Sequence, residues 1–73
     1  MAFKIYTMTN CPNCEEFKNY CKNNNLGYEE INVDEDFQAK AKLIMNDFEE
    51  MPVVEKDGKM FHDSLNNMIN FIN

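Results

Sequence analysis

The chain has 73 residues, of which 44% are hydrophobic, 13 are acidic and 7 are basic, and its net charge is −6. A chain of this length forms a single domain, here residues 1–73, with a small core and no second lobe. Nucleic acids and anionic membrane surfaces bind lysine- and arginine-rich faces, so the charge argues against both as partners. Because Met1 is followed by no long apolar run, we expect neither a secretory signal nor a membrane span, and therefore a cytoplasmic protein.

The first two elements are predicted to be a strand and a helix. Residues 3–8 are typical of a strand. Pro12 fits the first position of a helix, where the missing N–H group is no loss. The side chains predicted to share one face of this helix are Cys14, Phe17, Tyr20 and Cys21. Asn23-Asn24-Asn25 and Gly27 are expected to end it.

A second strand and a second helix follow. Residues 28–33 are predicted to form the strand, and Asp34 is a good N-cap for the helix. Its apolar side chains at helical spacing are Phe37, Ala41, Ile44, Met45 and Phe48. Such spacing is typical of a face that packs on a core, and we expect Met45 to lie in the core with most of the other methionines.

A hairpin is predicted next. Pro52 opens a third strand over residues 53–55, at a position where a strand tolerates proline. Asp57-Gly58 is a strong turn signal, and it leads into a fourth strand over residues 59–62.

The last helix is predicted to begin after Asp63 and Ser64, which both offer N-caps. Its inward side chains are predicted to be Leu65, Met68, Ile69 and Ile72. The resulting order is β-α-β-α-β-β-α, an α/β fold. Its strand–helix–strand unit implies a parallel pair with a right-handed crossover, and the hairpin adds an antiparallel pair.

The chain carries three cysteines, a number that does not suggest a disulfide framework. Two of them stand in Cys11-Pro12-Asn13-Cys14. If Cys11 is the N-cap, the backbone N–H of Cys14 points back at the Cys11 sulfur, which also lies at the positive end of the helix dipole. Lowering a cysteine pKa from about 8.5 to about 7 corresponds to about 2 kcal/mol, which this arrangement can supply. Cys14 lies deeper and is expected to stay protonated.

This arrangement predicts thiol–disulfide exchange. Residues three apart on a helical turn lie near the 5.5 Å or so between Cα atoms that a disulfide prefers. Cys11 would attack a substrate disulfide, and Cys14 would resolve the mixed disulfide, leaving Cys11–Cys14 oxidised. Two alternatives use the cysteines as metal ligands: a zinc site, for which only Cys21 and His62 could be added, or an iron–sulfur cluster shared in a dimer. We expect Cys21 to be a buried apolar side chain, and His62 to be a strand-end residue or a substrate contact.

Four segments resemble a glutaredoxin of the thioredoxin superfamily. They are Ile5-Tyr6, Cys11-Pro12-Asn13-Cys14, Met51-Pro52-Val53 and Asp57-Gly58. The resemblance covers nearly the whole chain and implies a thioredoxin-like fold, in which three helices flank a four-stranded mixed sheet. It also implies a cis Met51–Pro52 peptide beside the cysteines, with Met51 backbone groups pairing with the substrate backbone.

The resemblance further implies which residues form the site. The catalytic pair would be Cys11 and Cys14, with no bound cofactor and no metal. The residues expected to contact substrate or glutathione are Asn13, Met51, Pro52, Asp63 and Ser64. The alternative interpretation of Asn13 is an exposed loop residue that tunes the redox potential of the pair.

The chain departs from the typical glutaredoxin pattern near the site. Met8 and Glu49 stand where basic residues are usual, and Met60-Phe61 replaces a Gly-Gly pair. Glutathione carries a net negative charge, so these changes weaken the case for it. Glu15 and Glu16 oppose ionisation of the adjacent N-cap sulfur, so we predict a first cysteine less acidic than in a typical glutaredoxin.

The expected partners are proteins with disulfides and one source of electrons. That source is either glutathione, bound loosely, or a flavoprotein of the thioredoxin reductase type. The glutaredoxin-like electron donors of ribonucleotide reductase combine this fold with dependence on such a reductase, so that role is the main alternative. A compact acidic domain with a small open site is expected to be a monomer.

Overall fold

The computed structural model describes residues 3–73. Its elements in chain order are β1 (Phe3–Thr7), α1 (Pro12–Asn23), β2 (Tyr28–Asn32), α2 (Phe37–Met45), β3 (Val53–Lys56), β4 (Lys59–Phe61) and α3 (Leu65–Ile72). The strands form one mixed sheet in the order β2-β1-β3-β4. Strand β1 runs parallel to β2 and antiparallel to β3. The predicted α/β fold, with a four-stranded mixed sheet and three helices, is confirmed.

Both faces of the sheet are covered, because successive side chains of a strand point to opposite faces. On one face, Tyr6 of β1 and Val53 of β3 pack with the side chains of Ala39 and Leu43 from α2. On the other face, the apolar cluster contains Ile5 and Val54 from the sheet, Phe17 and Cys21 from α1, and Met68 and Ile72 from α3. Helix α2 therefore covers one face alone, and α1 and α3 share the other.

Helix α1 ends as its asparagines predict. Asn25 has a φ of 55°, in the left-handed region that asparagine tolerates better than most residues. The N–H of Leu26 donates to the carbonyl oxygen of Cys21 at 2.9 Å, and the N–H of Asn25 donates to that of Lys22 at 3.2 Å. These two bonds are a Schellman motif, which satisfies carbonyl groups at the end of a helix.

The turn between β3 and β4 also follows the prediction. Asp57 and Gly58 have φ values of 54° and 78°, and Lys56 pairs with Lys59 across them. Positive φ at both central residues is the requirement of a type I′ turn, which matches the twist of the strands that it joins.

Ser64 caps α3 by accepting a hydrogen bond from the N–H of Asn67 at 3.3 Å. Of the two predicted caps, Asp63 and Ser64, the helix therefore uses Ser64.

Two predictions about α2 are wrong. The N-cap is Asp36, which accepts from the N–H of Ala39 at 3.0 Å, while the carboxylate of Asp34 accepts from the N–H of Thr9 at 2.8 Å. Asp34, Glu35 and Asp36 stand together before this helix, and the sequence pattern alone does not decide which of these carboxylates caps it.

The second error concerns the apolar face of α2. Phe37, Ile44 and Met45 are exposed, so the face predicted to pack on the core points outward. Phe48 lies beyond the end of the helix, after Asp47 with a φ of 65°, and it packs partly against the core.

In the described part of the chain, residues 3–73, no helix is long and apolar enough to cross a membrane.

Candidate active site

Cys11 is the N-cap of α1, as predicted. Its backbone is extended, with φ −114° and ψ 99°, and Pro12 stands at the start of the helix. The N–H of Cys14 donates to the Cys11 sulfur at 3.2 Å. A sulfur in this position receives both a hydrogen bond and the positive end of the helix dipole, and both favour the thiolate over the thiol.

The two cysteines are joined as a disulfide, with Cα atoms 5.2 Å apart. Both cysteines lie in the apolar cluster on the α2 side of the sheet, and Cys14 is the more deeply buried of the two. The Cys11 sulfur lies 3.8 Å from the carbonyl oxygen of Met51, to which a reduced Cys11 thiol can donate. The pair is thus built to cycle between dithiol and disulfide at the edge of the core.

The segment before β3 faces the cysteines. The Met51–Pro52 peptide is cis, as the resemblance implies. His62 lies 2.7 Å through its Nδ1 atom from the Pro52 carbonyl oxygen, and because a carbonyl only accepts, Nδ1 carries the proton. Its Nε2 atom lies 3.6 Å from a carboxylate oxygen of Glu50. The ring of His62 therefore connects the end of β4 to the segment that borders the active site.

The five residues predicted to contact a substrate lie together. Asn13, Met51, Pro52, Asp63 and Ser64 line one cleft of about 390 Å³. Three carboxylates, of Glu16, Glu50 and Asp63, line the same cleft, and so does His62. The sequence does not predict Glu50 as a residue of this cleft, because only the sheet topology brings it near the start of α1.

Comparison with known proteins supports the same class of protein. A sequence model of the family described as "Glutaredoxin" matches residues 3–61. The glutaredoxin-like protein NrdH of Lactococcus lactis subsp. lactis is 32% identical over 78% of this chain and 79% of its own length. An uncharacterized glutaredoxin-like 8.6 kDa protein of Clostridium pasteurianum is 29% identical over 78% of this chain and 77% of its own.

Solved structures resemble it along almost the whole chain. The glutaredoxin-like NrdH-redoxin of Escherichia coli superposes with a TM-score of 0.88 and 30% identity, covering 100% of this chain and 96% of its own. A mutant of the thioredoxin-like protein BC3987 gives a TM-score of 0.84 with 29% identity, covering 97% of this chain and 99% of its own. The chain belongs to the glutaredoxin family. It is a thiol–disulfide oxidoreductase with a thioredoxin-like fold.

Two acidic residues at the start of α1, Glu15 and Glu16, have different surroundings. Glu15 forms an ion pair with Lys18 at 2.8 Å, and Lys18 also contacts Glu30 of β2 at 3.0 Å. The buried hydroxyl of Thr7 donates to Glu30 as well, at 2.9 Å. Burial would raise the pKa of Glu30, but the hydrogen bonds from Lys18 and Thr7 bring that pKa below its ordinary value. Hydrogen bonds to Glu15 and Glu30 raise the pKa of Lys18.

Because of these contacts, Glu15 and Glu16, which were both expected to oppose ionisation of Cys11, differ in how far their charge is neutralised. Lys18 offsets the charge of Glu15, whereas Glu16 points its charge toward the cleft that borders Pro52. The prediction that Cys11 is less acidic than in a typical glutaredoxin therefore depends on Glu16 more than on Glu15. A thiol titration of the reduced protein that gave a Cys11 pKa below about 5 would contradict it.

The third cysteine has the structural role expected of it. Cys21 is buried in the core beneath α1, and burial raises the pKa of its thiol to about 11, so at neutral pH it is a protonated, shielded side chain. Within residues 3–73, no three side chains of His, Cys, Asp or Glu stand close enough to hold a metal ion. Of the two residues that the zinc alternative would add, Cys21 lies in the core beneath α1 and His62 lies beside Pro52.

A polar cluster of Tyr6, Lys42 and Glu55, which the sequence pattern does not predict, lies on the α2 side of the sheet. The hydroxyl of Tyr6 donates to Glu55, and the ammonium of Lys42 lies 3.3 Å from the same carboxylate and 5.9 Å from the centre of the Tyr6 ring. Burial, followed by the hydrogen bond to Glu55, raises the pKa of Tyr6 far above its ordinary value. Tyr6 is thus a neutral side chain of the core. Through Glu55, the cluster links α2 to β1 and β3 by a hydrogen bond and an ion pair.

Proposed function

We propose that Cys11 is the nucleophile and Cys14 the resolving thiol. The observation that carries the proposal is the Cys14 N–H directed at the Cys11 sulfur from the first turn of α1. A Cys11 thiolate attacks one sulfur of a substrate disulfide, and the other substrate sulfur leaves as a thiolate. Cys14 then gives up its proton and attacks the Cys11 sulfur, which releases the second substrate thiol. The substrate gains two electrons, and the Cys11–Cys14 pair loses them.

The electron source that we propose is a flavoprotein of the thioredoxin reductase type. The cleft that would hold glutathione carries the carboxylates of Glu16, Glu50 and Asp63, and like charges placed together in an interface weaken it. The E. coli structural neighbour is described as having a thioredoxin-like activity profile, which supports the same choice. Glutathione, as a loosely bound reductant, is the alternative.

The client that we propose is a ribonucleotide reductase. Glutaredoxin-like electron donors of that enzyme combine this fold with dependence on a flavoprotein reductase, and the curated relatives in Lactococcus lactis are glutaredoxin-like proteins called NrdH. In this role the protein acts in the cytoplasm, as a monomer, and binds no metal. Its acidic surface, with a net charge of −6, disfavours association of like copies.

The test compares two reducing systems. Oxidation of NADPH is followed with bis(2-hydroxyethyl) disulfide as substrate, once with thioredoxin reductase and once with glutathione and glutathione reductase. We expect turnover at least about tenfold faster with thioredoxin reductase, because charge repulsion disfavours glutathione. Equal or faster turnover with glutathione would overturn the proposed electron source.

Two variants test the roles of the cysteines. Cys11→Ser is expected to abolish turnover in both systems. Cys14→Ser keeps the nucleophile but cannot resolve, so a mixed disulfide on Cys11 should accumulate and be visible by mass spectrometry. With ribonucleotide reductase as the final acceptor, the wild-type protein should sustain deoxyribonucleotide formation, and Cys11→Ser should not.

A further inference from the structure

The outward face of α2 is apolar. Phe37, Ile44 and Met45 are 82%, 62% and 82% exposed. Together with Ala41 they fall within about 100° around the helix axis, since the helix has about 3.6 residues per turn. We name these four residues the apolar stripe. Large apolar side chains that share one exposed surface mark a site of interaction, whereas scattered single ones do not.

A groove of about 540 Å³ connects the apolar stripe to the redox site. Its apolar lining is formed by Met8, Val33, Leu43, Ile44, Phe48 and Met51. Ile44 belongs to both the stripe and the groove, and Met51 is the residue whose carbonyl oxygen lies 3.8 Å from the Cys11 sulfur. One apolar surface therefore runs from the exposed side of α2 to the border of the disulfide.

The charges around this groove are mainly negative. Among the described residues that line it are three carboxylates, of Asp34, Asp47 and Glu49, and one cation, Lys40. A backbone hydrogen bond from Thr9 lowers the pKa of Asp34, so this carboxylate is ionised at neutral pH. A partner that fills the groove with an apolar side chain is therefore best complemented by basic residues on either side of that side chain.

The same charges argue against a second copy of this chain as the occupant. Helix α2 follows the acidic segment 34–36, and Asp47, Glu49 and Glu50 come after it. Two copies related by a two-fold axis would bring the same stripe on each copy face to face. Whether the two helices ran parallel or antiparallel, carboxylates would oppose carboxylates at both ends of the contact.

We propose that the apolar stripe and its groove dock the protein whose disulfide Cys11 reduces, and that this partner presents an aromatic or aliphatic side chain flanked by lysine or arginine. The inference rests on the proposed function, since it assigns the groove to a partner in the exchange at Cys11. Docking next to the nucleophile raises the effective concentration of the disulfide there. The groove thereby selects among protein disulfides that the small redox site alone cannot distinguish.

The experiment uses three peptides that share one disulfide-closed ring and differ in an eight-residue tail. A tail of that length spans up to about 26 Å, comparable to the 25 Å width of the domain. The first tail carries two phenylalanines among lysines, the second carries the same phenylalanines among glutamates, and the third has serines in place of the phenylalanines. Reduced protein is mixed with each peptide, and the second-order rate constant is measured by acid quench and mass spectrometry.

We expect the lysine–phenylalanine peptide to react about tenfold faster than either of the others. The variant Phe37→Ser/Met45→Ser should lower its rate about tenfold, while Asn19→Ser/Asn66→Ser, at exposed positions on the helices of the opposite face, should leave it unchanged. Glu49→Lys should reduce the preference for lysine over glutamate tails. Glu35→Lys, an identical charge change at an exposed residue outside the groove lining, should reduce it less.

The results distinguish a failure of the docking surface from a failure of the proposed thiol–disulfide exchange at Cys11. Equal rates for the three peptides, or an equal loss in the control variant, would overturn the docking surface. So would a wild-type dimer in analytical ultracentrifugation that Phe37→Ser/Met45→Ser dissociates, because the occupant would then be a second copy. The rate with bis(2-hydroxyethyl) disulfide, which is small and uncharged, should be the same in the wild-type protein, Phe37→Ser/Met45→Ser and Asn19→Ser/Asn66→Ser. If the wild-type protein failed to reduce it, the proposed function itself would be wrong.

Discussion

Helices α1 and α2 are built alike at their ends and used differently along their lengths. Each begins at a side-chain N-cap, Cys11 or Asp36, and each ends in a Schellman motif with a residue at positive φ. Yet α1 buries its apolar side chains against the sheet, whereas α2 buries only Ala39 and Leu43 and leaves its larger apolar residues outside. Local structure therefore does not decide which apolar face of a helix stabilises the fold.

The difference follows from what lies on the two faces of the sheet. The face under α1 is shared with α3, so its side chains are enclosed from two sides. The face under α2 is covered by this one helix, whose attachment is completed by the polar cluster of Tyr6, Lys42 and Glu55. Helix α2 thus has a narrow inner face for stability and a wide outer face free for recognition.

The largest expected contrast is between two phenylalanines. Phe17 of α1 is fully buried, so Phe17→Ala should lower the free energy of unfolding by about 3–5 kcal/mol. Phe37 of α2 is exposed, and Phe37→Ala should change it by less than about 0.5 kcal/mol. Urea unfolding of the oxidised proteins measures both. A loss above about 2 kcal/mol for Phe37→Ala would mean that this face is packed in solution.

A second contrast lies within α2, between neighbouring residues. Leu43 is buried on the sheet and Ile44 is exposed. Leu43→Ala should cost about 3 kcal/mol, since it removes buried methyl groups and leaves a cavity, whereas Ile44→Ala should cost about 0.5 kcal/mol or less. Unfolding curves for the two variants should also share one slope against urea. Equal losses for both would imply that the inner and outer faces of α2 have been exchanged.

Those two pairs mark the boundary of what the sequence could predict. The strands, the type I′ turn at Asp57-Gly58 and the Cys11 N-cap were predictable, because each depends on residues close in the chain. The outward direction of the α2 stripe was not, because apolar spacing identifies a face but not what covers it. Likewise, Glu50 and His62 border the same cleft as Asn13 and Glu16 only because β3 pairs with β1, which no local pattern encodes.

The polar cluster predicts a pH dependence that is specific to the α2 side. The hydrogen bond from Tyr6, with the help of Lys42, holds the pKa of Glu55 below its ordinary value of 4.5. A carboxyl whose pKa is lowered by folding stabilises the native state above its unfolded pKa, and this contribution is lost as the pH falls through the folded pKa. Glu55→Gln should therefore cost about 1.5 kcal/mol at pH 7 and less at pH 3, since part of the contribution is lost once the pH falls below the unfolded pKa.

The control for that prediction is Glu35→Gln, which removes an exposed carboxylate. Its effect on unfolding should be within about 0.5 kcal/mol at both pH values. Urea unfolding at pH 7, 5 and 3 gives the comparison. If wild type and Glu55→Gln lost stability in parallel as the pH fell, acid destabilisation would come from other carboxylates, and the cluster would not be what holds α2 to the sheet.

The smallest contrast concerns the residue that caps α2. Asp36→Ala removes the acceptor for the N–H of Ala39 and should cost about 1 kcal/mol. Asp34→Ala removes the acceptor for the exposed N–H of Thr9, which water can replace, and should cost about 0.5 kcal/mol or less. Circular dichroism during urea unfolding measures both. A larger loss for Asp34→Ala than for Asp36→Ala would show that Asp34, and not Asp36, is the residue that caps α2 in solution.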